Sequence, residues 1–169
     1  MVASPTAKVF LSAMKIKLEP LVLAKSEELV MLLNDPRVTR HMPLAEVVDL
    51  EWVDNWKTQK SSSWDSPDKG PWSVSINGKF AGWAGLQPDD GDTTELAVVL
   101  HQWAWGHGKT IIDKVLETWG AFPESKKKIF VYFPSSRKAE SFAGRIGISY
   151  SGTGEFNGIK FERFELLQS

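Results

Sequence analysis

The chain has 169 residues, a formal net charge of −1 and no cysteine. A charge so close to zero argues against a broad nucleic-acid-binding surface, and the absence of cysteine excludes disulfides, thiolate metal sites and a cysteine nucleophile. No apolar run approaches the length of a membrane-spanning helix, so we expect no membrane binding. We also expect a cytoplasmic location, which the lack of cysteine is compatible with, no nucleic-acid partner and no metal site. The length favours one domain, predicted over residues 14–169 behind an N-terminal tail of residues 1–13.

A strand and two helices are predicted first along the chain. Residues 15–19 (KIKLE) alternate between charged and apolar side chains, which indicates a strand that ends at Pro20. A helix is predicted to begin at Ser26 and to stop at residues 34–36 (NDP). A second helix is predicted over roughly residues 45–58, since its apolar side chains recur at every fourth residue: Val48, Trp52 and Trp56.

A loop and a hairpin follow. Residues 61–70 (SSSWDSPDKG) are rich in turn formers and predict a loop. The dipeptide Asn77–Gly78 is a strong hairpin-turn signal. The remaining predicted elements, in chain order, are strands at 72–76, 79–86 and 96–100, a helix at 109–119, a strand at 129–133, a helix at 136–146, and strands at 148–156 and 159–167.

The run TELAVVLHQWAWGHGK, residues 94–109, is the most informative part of the sequence. It combines an apolar strand, two glycines and the start of an amphipathic helix. We expect Gly106 and Gly108 to let the backbone turn tightly and to present unpaired N–H groups. The helix dipole adds a partial positive charge at the same point, so the combination suits a phosphate or pyrophosphate.

Two kinds of nucleotide-binding loop do not fit the spacing. A P-loop, G-x-x-x-x-G-K-[ST], would end at residues 108–110 but requires a glycine where the chain has Trp103. A dinucleotide fingerprint, G-x-G-x-x-G, would start at Gly106 but meets Ile111 at its third glycine. Each pattern therefore fails at a named position.

The run from Glu95 to Gly108 resembles the acetyl-CoA loop of the GNAT acetyltransferase superfamily. It is most similar to the branch of ribosomal-protein N-acetyltransferases, in which a strand carrying a Glu leads into a W-G-x-G turn. The predicted element order, β-α-α-β-β-β-α-β-α-β-β, is also that of the GNAT fold, and residues 143–148 resemble the signature that closes its last helix. The resemblance implies a single-domain α/β (α+β) GNAT-like fold, with a mixed, mostly antiparallel sheet and helices on both faces.

The resemblance also implies acetyl-CoA as co-substrate. In the family the pantetheine arm lies beside the backbone of the strand, and the pyrophosphate sits on the amides of the following turn, which bind it without a metal. The start of the next helix would add contacts to the phosphates. The residues expected to bind acetyl-CoA are Val98, Val99, Leu100, Trp105, Gly106, His107, Gly108, Lys109, Thr110, Ser136 and Arg137.

Acetyl transfer to an amine requires a deprotonated amine, a polarised thioester carbonyl and a protonated leaving thiolate. Glu95 aligns with the Glu of the resembled branch and is the predicted base. Many family members use a Tyr on the helix that here spans residues 136–146 as the acid, but the matching places hold Phe142 or Ala143. Ser141 and Tyr150 are therefore the predicted substitutes.

His41 and Trp64 are predicted to contact the acceptor. His41 lies between the first two helices, where the resembled fold builds its acceptor pocket, and Trp64 is an indole in a polar loop, where it would form an exposed lid. For Trp52 and Trp56 we favour helix packing over a place in that pocket. A strongly acidic acceptor cleft would indicate a polyamine or an aminoglycoside, but the acids of residues 46–54 also suit the solvated face of a helix.

The sequence thus favours an acetyl-CoA-dependent N-acetyltransferase in which a primary amine, on a protein N-terminus or a small molecule, attacks the thioester directly. An acyl-CoA-binding or sensor protein with the GNAT fold is the alternative, because the usual Tyr is missing. Transfer of another acyl group is a second alternative. Exposed final strands often mediate dimers in this fold, which makes a homodimer the expected assembly.

Overall fold

The computed structural model describes residues 14–40, 46–135, 140–156 and 158–166, and of residues 140–142 it describes the backbone. The predicted tail of residues 1–13 lies outside these ranges. None of the helices within them combines the length and the apolar character needed to span a bilayer.

A seven-stranded mixed sheet forms the centre of the protein, in the order β1-β2-β3-β4-β5-β7-β6. Neighbouring strands are antiparallel except β4 and β5, which are parallel. The strands are β1 (Ile16–Pro20), β2 (Trp72–Ile76), β3 (Lys79–Pro88), β4 (Thr93–Leu100), β5 (Lys128–Pro134), β6 (Ile148–Phe156) and β7 (Ile159–Leu166).

The α-helices of the described ranges are α1 (Ser26–Asn34), α2 (Pro36–Thr39), α3 (Leu50–Ser61), α4 (Gly108–Trp119) and α5 (Glu140–Ile146). Short 3-10 helices span Leu21–Leu23, Pro67–Lys69, Gln102–His107 and Pro123–Lys126.

Helices cover both faces of the sheet, as predicted. Alternate residues of a strand point to opposite faces, and β4 shows this directly. Leu96 and Leu100 pack in one buried cluster with α4 and α5, whereas Ala97 and Val99 pack against a second cluster with α1 and α3. The helix residues of the first cluster are Ile111, Ile112, Val115, Trp119 and Ala143, and those of the second are Leu29, Leu32, Leu33, Val38 and Val53.

The hairpin between β2 and β3 is confirmed. Asn77 and Gly78 both have positive φ angles, of 51° and 81°, as the turn type favoured in two-residue hairpins requires. Asn77 also accepts a hydrogen bond from the Lys15 amide through Oδ1, at 2.8 Å. This contact ties the turn to the start of β1.

The predicted start of α3 is wrong. The helix begins at Leu50, because the Asp49 side chain caps it by accepting a hydrogen bond from the Trp52 amide at 2.8 Å. Val48 lies before the helix, where its amide and its carbonyl both bond to the side-chain amide of Asn34 at 2.8 Å. A pair of bonds between residues far apart in the chain therefore keeps Val48 out of the helix.

Candidate functional site

The parallel strands β4 and β5 pair only over their first residues. Their register runs from Thr93 opposite Lys128 to Glu95 opposite Phe130, and the buried Thr94 hydroxyl adds a bond to the Lys128 carbonyl at 3.3 Å. Beyond this point β4 stays paired with β3, and β5 stays paired with β7. Within the described part of the chain, the edge of β4 that faces β5 thus lacks a strand partner after Glu95.

A cleft of about 430 Å³ occupies the gap that opens between these two strands. On one side of the sheet it is lined by the indoles of Trp52, Trp56 and Trp83. On the other side it reaches Gly108 and Ile112 at the start of α4. The cleft therefore connects the α3 side of the sheet with the N-terminal end of α4.

Gly106, just before α4, and Gly108, its first residue, do not form the tight turn that the sequence predicts. The Gly108 amide is also not unpaired as predicted, because it donates to the Trp105 carbonyl. Gly106 lies within the 3-10 helix Gln102–His107, which leads directly into α4, and Gly108 has the ordinary helical angles φ −56° and ψ −45°. A Cβ on Gly106 would meet nothing within 4 Å, whereas Gly108 is buried and lines the cleft. What these positions contribute is the absence of a side chain rather than an unusual backbone.

The residues predicted to bind acetyl-CoA differ in where they lie relative to the cleft. Those that line the cleft are Val98, Val99, Leu100, Trp105 and Gly108. Those near the start of α4 but outside the lining are Gly106, His107, Lys109 and Thr110. Ser136 and Arg137 lie outside the described residues.

Two of these side chains already have partners in the protein. Trp105 donates from Nε1 to the Leu100 carbonyl at 2.9 Å, which fixes its indole against the end of β4. Lys109 lies 2.9 Å from Oδ2 of Asp113, one helical turn along α4, and both side chains are exposed. An exposed pair of this kind contributes little to stability, so it leaves Lys109 free to exchange partners.

Glu95 is partly buried at the point where β4 and β5 part, opposite Gln87 of β3. Burial raises the pKa of its carboxyl, and the charge of Asp89 adds to this, whereas Lys60 opposes it. Lys60 reaches in from α3 and donates from Nζ to Oε1 of Gln87 at 2.6 Å. Burial lowers the pKa of Lys60, and the charge of Glu95 acts in the opposite direction. A carboxyl with a raised pKa in a cleft is suited to accept a proton.

Tyr132 is a cleft residue that the sequence analysis missed. Strand alternation and the pairing of Phe130 with Glu95 place Tyr132 on the same face of the sheet as Glu95. Its hydroxyl donates to Oδ2 of Asp89 at 3.0 Å. Burial and this hydrogen bond raise the pKa of Tyr132, so the hydroxyl is protonated at neutral pH. The sequence offered one signal for Tyr132, its position two residues after Phe130 in a predicted strand. A tyrosine at such a position is equally typical of a core residue.

Of the two predicted acid candidates, the structure describes the side chain of Tyr150, which does not line the cleft. Tyr150 of β6 is 61% exposed, and its ring lies edge-on to Phe164 at 5.9 Å. The Ser141 side chain lies outside the described residues. Of the two tyrosines in the chain, Tyr132 is the one that lines the cleft.

No protein-family model and no curated protein sequence matches the chain. Solved structures do match. A spermidine N-acetyltransferase from Vibrio cholerae in complex with CoA and spermine is 13% identical, with a TM-score of 0.69 over 93% of this chain and 96% of that one. AAC(6')-Ib in complex with parmomycin and acetyl-CoA is 15% identical, with a TM-score of 0.69 over 90% and 92%. A probable acetyltransferase of the GNAT family from Chromobacterium violaceum is 16% identical, with a TM-score of 0.67 over 90% and 82%.

The chain has the GNAT fold. At these identities the likeness concerns the fold, and it covers nearly the whole chain. The fold class predicted from the sequence is confirmed, including its mixed sheet with helices on both faces.

The exposed lid predicted at Trp64 is wrong. Trp64 is partly buried, donates from Nε1 to the Leu86 carbonyl at 2.8 Å, and packs on Trp119 with ring centroids 5.0 Å apart. Its loop folds against the face that carries α4, because the indole finds both an apolar partner and a backbone acceptor there. His41 lies outside the described residues.

For Trp52 and Trp56 we predicted helix packing, whereas the structure places both at the cleft. Both line the cleft, and Trp52 is 38% exposed. Their rings stack with centroids 6.1 Å apart and planes 15° apart. The interpretation of these two residues as helix packing alone is therefore wrong, since the α3 face that carries them closes one side of the cleft.

Proposed function

We propose that this protein is an acetyl-CoA-dependent N-acetyltransferase that moves an acetyl group to a primary amine. One observation carries the proposal: a single cleft passes between β4 and β5, with Glu95 where the strands part and the start of α4 at its other end. A thioester substrate and an amine entering from opposite faces of the sheet would meet in this gap. The GNAT fold supports the same conclusion.

The cleft has the chemistry that acetyl-CoA requires. The edge of β4 from Leu96 to Val99, which lacks a strand partner among the described residues, offers backbone amide and carbonyl groups to the amide-containing pantetheine arm. The first turn of α4 lies at the positive end of the helix dipole, which favours a diphosphate, although the Gly108 amide itself already donates to the Trp105 carbonyl. Gly108, without a side chain, keeps the passage between these two regions open.

Glu95 is the proposed base. An amine is protonated at neutral pH, and it must lose a proton before its nitrogen can attack the carbonyl carbon of the thioester. Glu95 accepts this first proton and passes it to solvent. As the new C–N bond forms and the C–S bond breaks, the nitrogen loses a second proton to Glu95, the thiolate gains one from an acid, and the acid is then reprotonated, so that one proton is released in each turnover. Tyr132, whose hydroxyl is protonated and lies on the Glu95 face, is the proposed donor to the thiolate.

Calorimetric titration of the purified protein with acetyl-CoA, and with ATP plus magnesium in parallel, tests the proposal. We expect binding of acetyl-CoA in the micromolar range and no heat with ATP. A thiol-release assay with a panel of primary amines then measures turnover. Absence of acetyl-CoA binding would overturn the proposal. Binding without turnover of any amine would indicate the acyl-CoA-binding module instead.

Two further proposals concern the acceptor and the oligomeric state. A protein N-terminus is an acceptor suggested by the sequence resemblance, and acetylation of a ribosomal-protein peptide by mass spectrometry tests it. A homodimer through β6 and β7 is the expected assembly, and light scattering of the purified protein tests that.

A further inference from the structure

The α3 side of the cleft is built mainly from indoles. Trp52 and Trp56 stack on each other, and Trp56 lies edge-on to Trp83 with centroids 5.4 Å apart. All three line the cleft. Trp83 is buried and fixed, whereas Trp52 keeps part of its surface open to solvent. This indole wall (Trp52, Trp56 and Trp83) therefore offers flat apolar surface to whatever enters from the α3 side.

The cleft carries little net charge. Among the described residues, Glu95 and Lys60 are the charged side chains that line it, and their formal charges cancel. Lys60 Nζ also lies 5.8 Å from the centre of the Trp83 ring. A second cationic group of an acceptor would meet this lysine, whereas the neighbouring Asp89 carboxylate lies outside the lining and is already hydrogen-bonded to the Tyr132 hydroxyl.

The acids of residues 46–54 do not change this balance. Asp49 accepts the Trp52 amide as the helix cap, and Asp54 accepts a hydrogen bond from the Ser26 hydroxyl. Neither they nor Glu51 line the cleft. Residues 41–45, which lie outside the described ranges, contain no Asp or Glu in the sequence (HMPLA). The strongly acidic cleft that would suit a polyamine or an aminoglycoside is therefore absent from the described part of the chain.

We propose that the acceptor is a monoamine with an aromatic body, which stacks on the indole wall and places its single amine at Glu95. This inference rests on the proposed N-acetyltransferase function and adds the class of acceptor. Stacked aromatic rings gain binding free energy beyond that of the area that they bury. A single amine matches Glu95, which is the one carboxylate among the described residues that line the cleft, and an uncharged ring avoids the repulsion from Lys60.

The test compares kcat/KM for 2-phenylethylamine and spermidine at saturating acetyl-CoA. We expect 2-phenylethylamine to be the better substrate by about tenfold or more, which corresponds to about 1.4 kcal/mol. Trp52→Ala should raise KM for 2-phenylethylamine about 3- to 10-fold with little change in kcat, and Trp52→Phe should restore most of the loss. The Kd of acetyl-CoA should stay the same in both variants.

Met31→Ala is the matched control, because Met31 is 70% exposed on α1 and does not line the cleft. It should leave KM for 2-phenylethylamine unchanged. A higher kcat/KM for spermidine, or an unchanged KM in Trp52→Ala, would overturn the aromatic acceptor while leaving acetyl transfer intact. Failure to bind acetyl-CoA, or to acetylate any primary amine, would overturn the proposed function and this inference with it.

Discussion

The Tyr132 hydroxyl donates a hydrogen bond to Oδ2 of Asp89 at 3.0 Å, and this bond links β5 to the residue that follows β3. The charge of the same Asp89 helps to raise the pKa of Glu95. One carboxylate therefore acts on both the proposed base and the proposed acid. It keeps the tyrosine hydroxyl oriented and protonated while it makes Glu95 a better proton acceptor.

Tyr132→Phe removes the proposed proton donor and leaves the ring in place. We expect kcat to fall about 10²-fold or more, because the thiolate then leaves without general-acid assistance, whereas the Kd of acetyl-CoA changes little. Steady-state kinetics and calorimetry measure the two quantities.

Tyr150→Phe is the control for that experiment, since Tyr150 lies exposed on β6. It should retain the wild-type kcat. Loss of activity in Tyr150→Phe with full activity in Tyr132→Phe would reverse the assignment of the acid.

The pH dependence of kcat/KM should report the ionisation of Glu95. The base must be ionised, so activity should fall as the pH drops through the pKa of Glu95, which burial and Asp89 raise above its ordinary value. Lys60 lowers this pKa, and so Lys60→Met should move the acid limb to higher pH. Asp89→Asn should move it to lower pH. Limbs that shift in the same direction in both variants would contradict the electrostatic argument.

Gly108→Trp should abolish acetyl-CoA binding, because an indole at this buried position would fill the cleft at the start of α4. Gly108→Ala is the milder variant, and its helical φ of −56° accommodates alanine without strain. We expect Gly108→Ala to bind acetyl-CoA at least about 10-fold more weakly, a difference of about 1.4 kcal/mol. Calorimetry measures the affinities, and thermal unfolding followed by circular dichroism shows that the variants are folded.

Gly144→Trp provides a glycine-to-tryptophan control at an exposed position of α5, where a Cβ would meet nothing within 4 Å. It should bind acetyl-CoA like the wild type. Wild-type affinity in Gly108→Ala and Gly108→Trp together would remove α4 from the binding site.

Trp64→Ala should lower the stability of the protein without changing its affinity for the acceptor. The variant loses the hydrogen bond to the Leu86 carbonyl and the packing on Trp119, at a cost on the order of 3 kcal/mol in the free energy of unfolding. Urea denaturation measures this loss, and KM for the amine measures acceptor binding. Trp52→Ala should show the opposite pattern, so a raised KM with unchanged stability in Trp64→Ala would restore Trp64 to the acceptor site.

Local turn and capping chemistry made several elements predictable. Asn77 and Gly78 alone favour positive φ angles, so the hairpin between β2 and β3 follows from two residues. The apolar spacing of Ile111, Val115 and Trp119 likewise predicts α4 and its buried face. In these cases the information lies within a few consecutive residues.

The features that the sequence did not predict depend on contacts between residues that are distant in the chain. The start of α3 depends on Asn34 bonding to Val48, and a pattern of every fourth residue carries no trace of that pair. The burial of Trp64 depends on the Leu86 carbonyl and on Trp119, which are distant in the chain. The polar composition of its loop predicted an exposed Trp64, and the spacing at every fourth residue predicted helix packing for Trp52 and Trp56.

The sequence by itself determined the order of the strands and of the longer helices, because strand alternation, helix periodicity and turn chemistry are local properties of the chain. The resemblance of the run from Glu95 to Gly108 added the expectation of a GNAT-like fold. Only the tertiary structure decided which side chains meet in the cleft. The parallel register between β4 and β5 puts Tyr132 on the face of Glu95, and the packing of α3 brings Lys60, Trp52 and Trp56 to the same place. These neighbours are set by strand pairing and burial across long sequence separations, which no local pattern encodes.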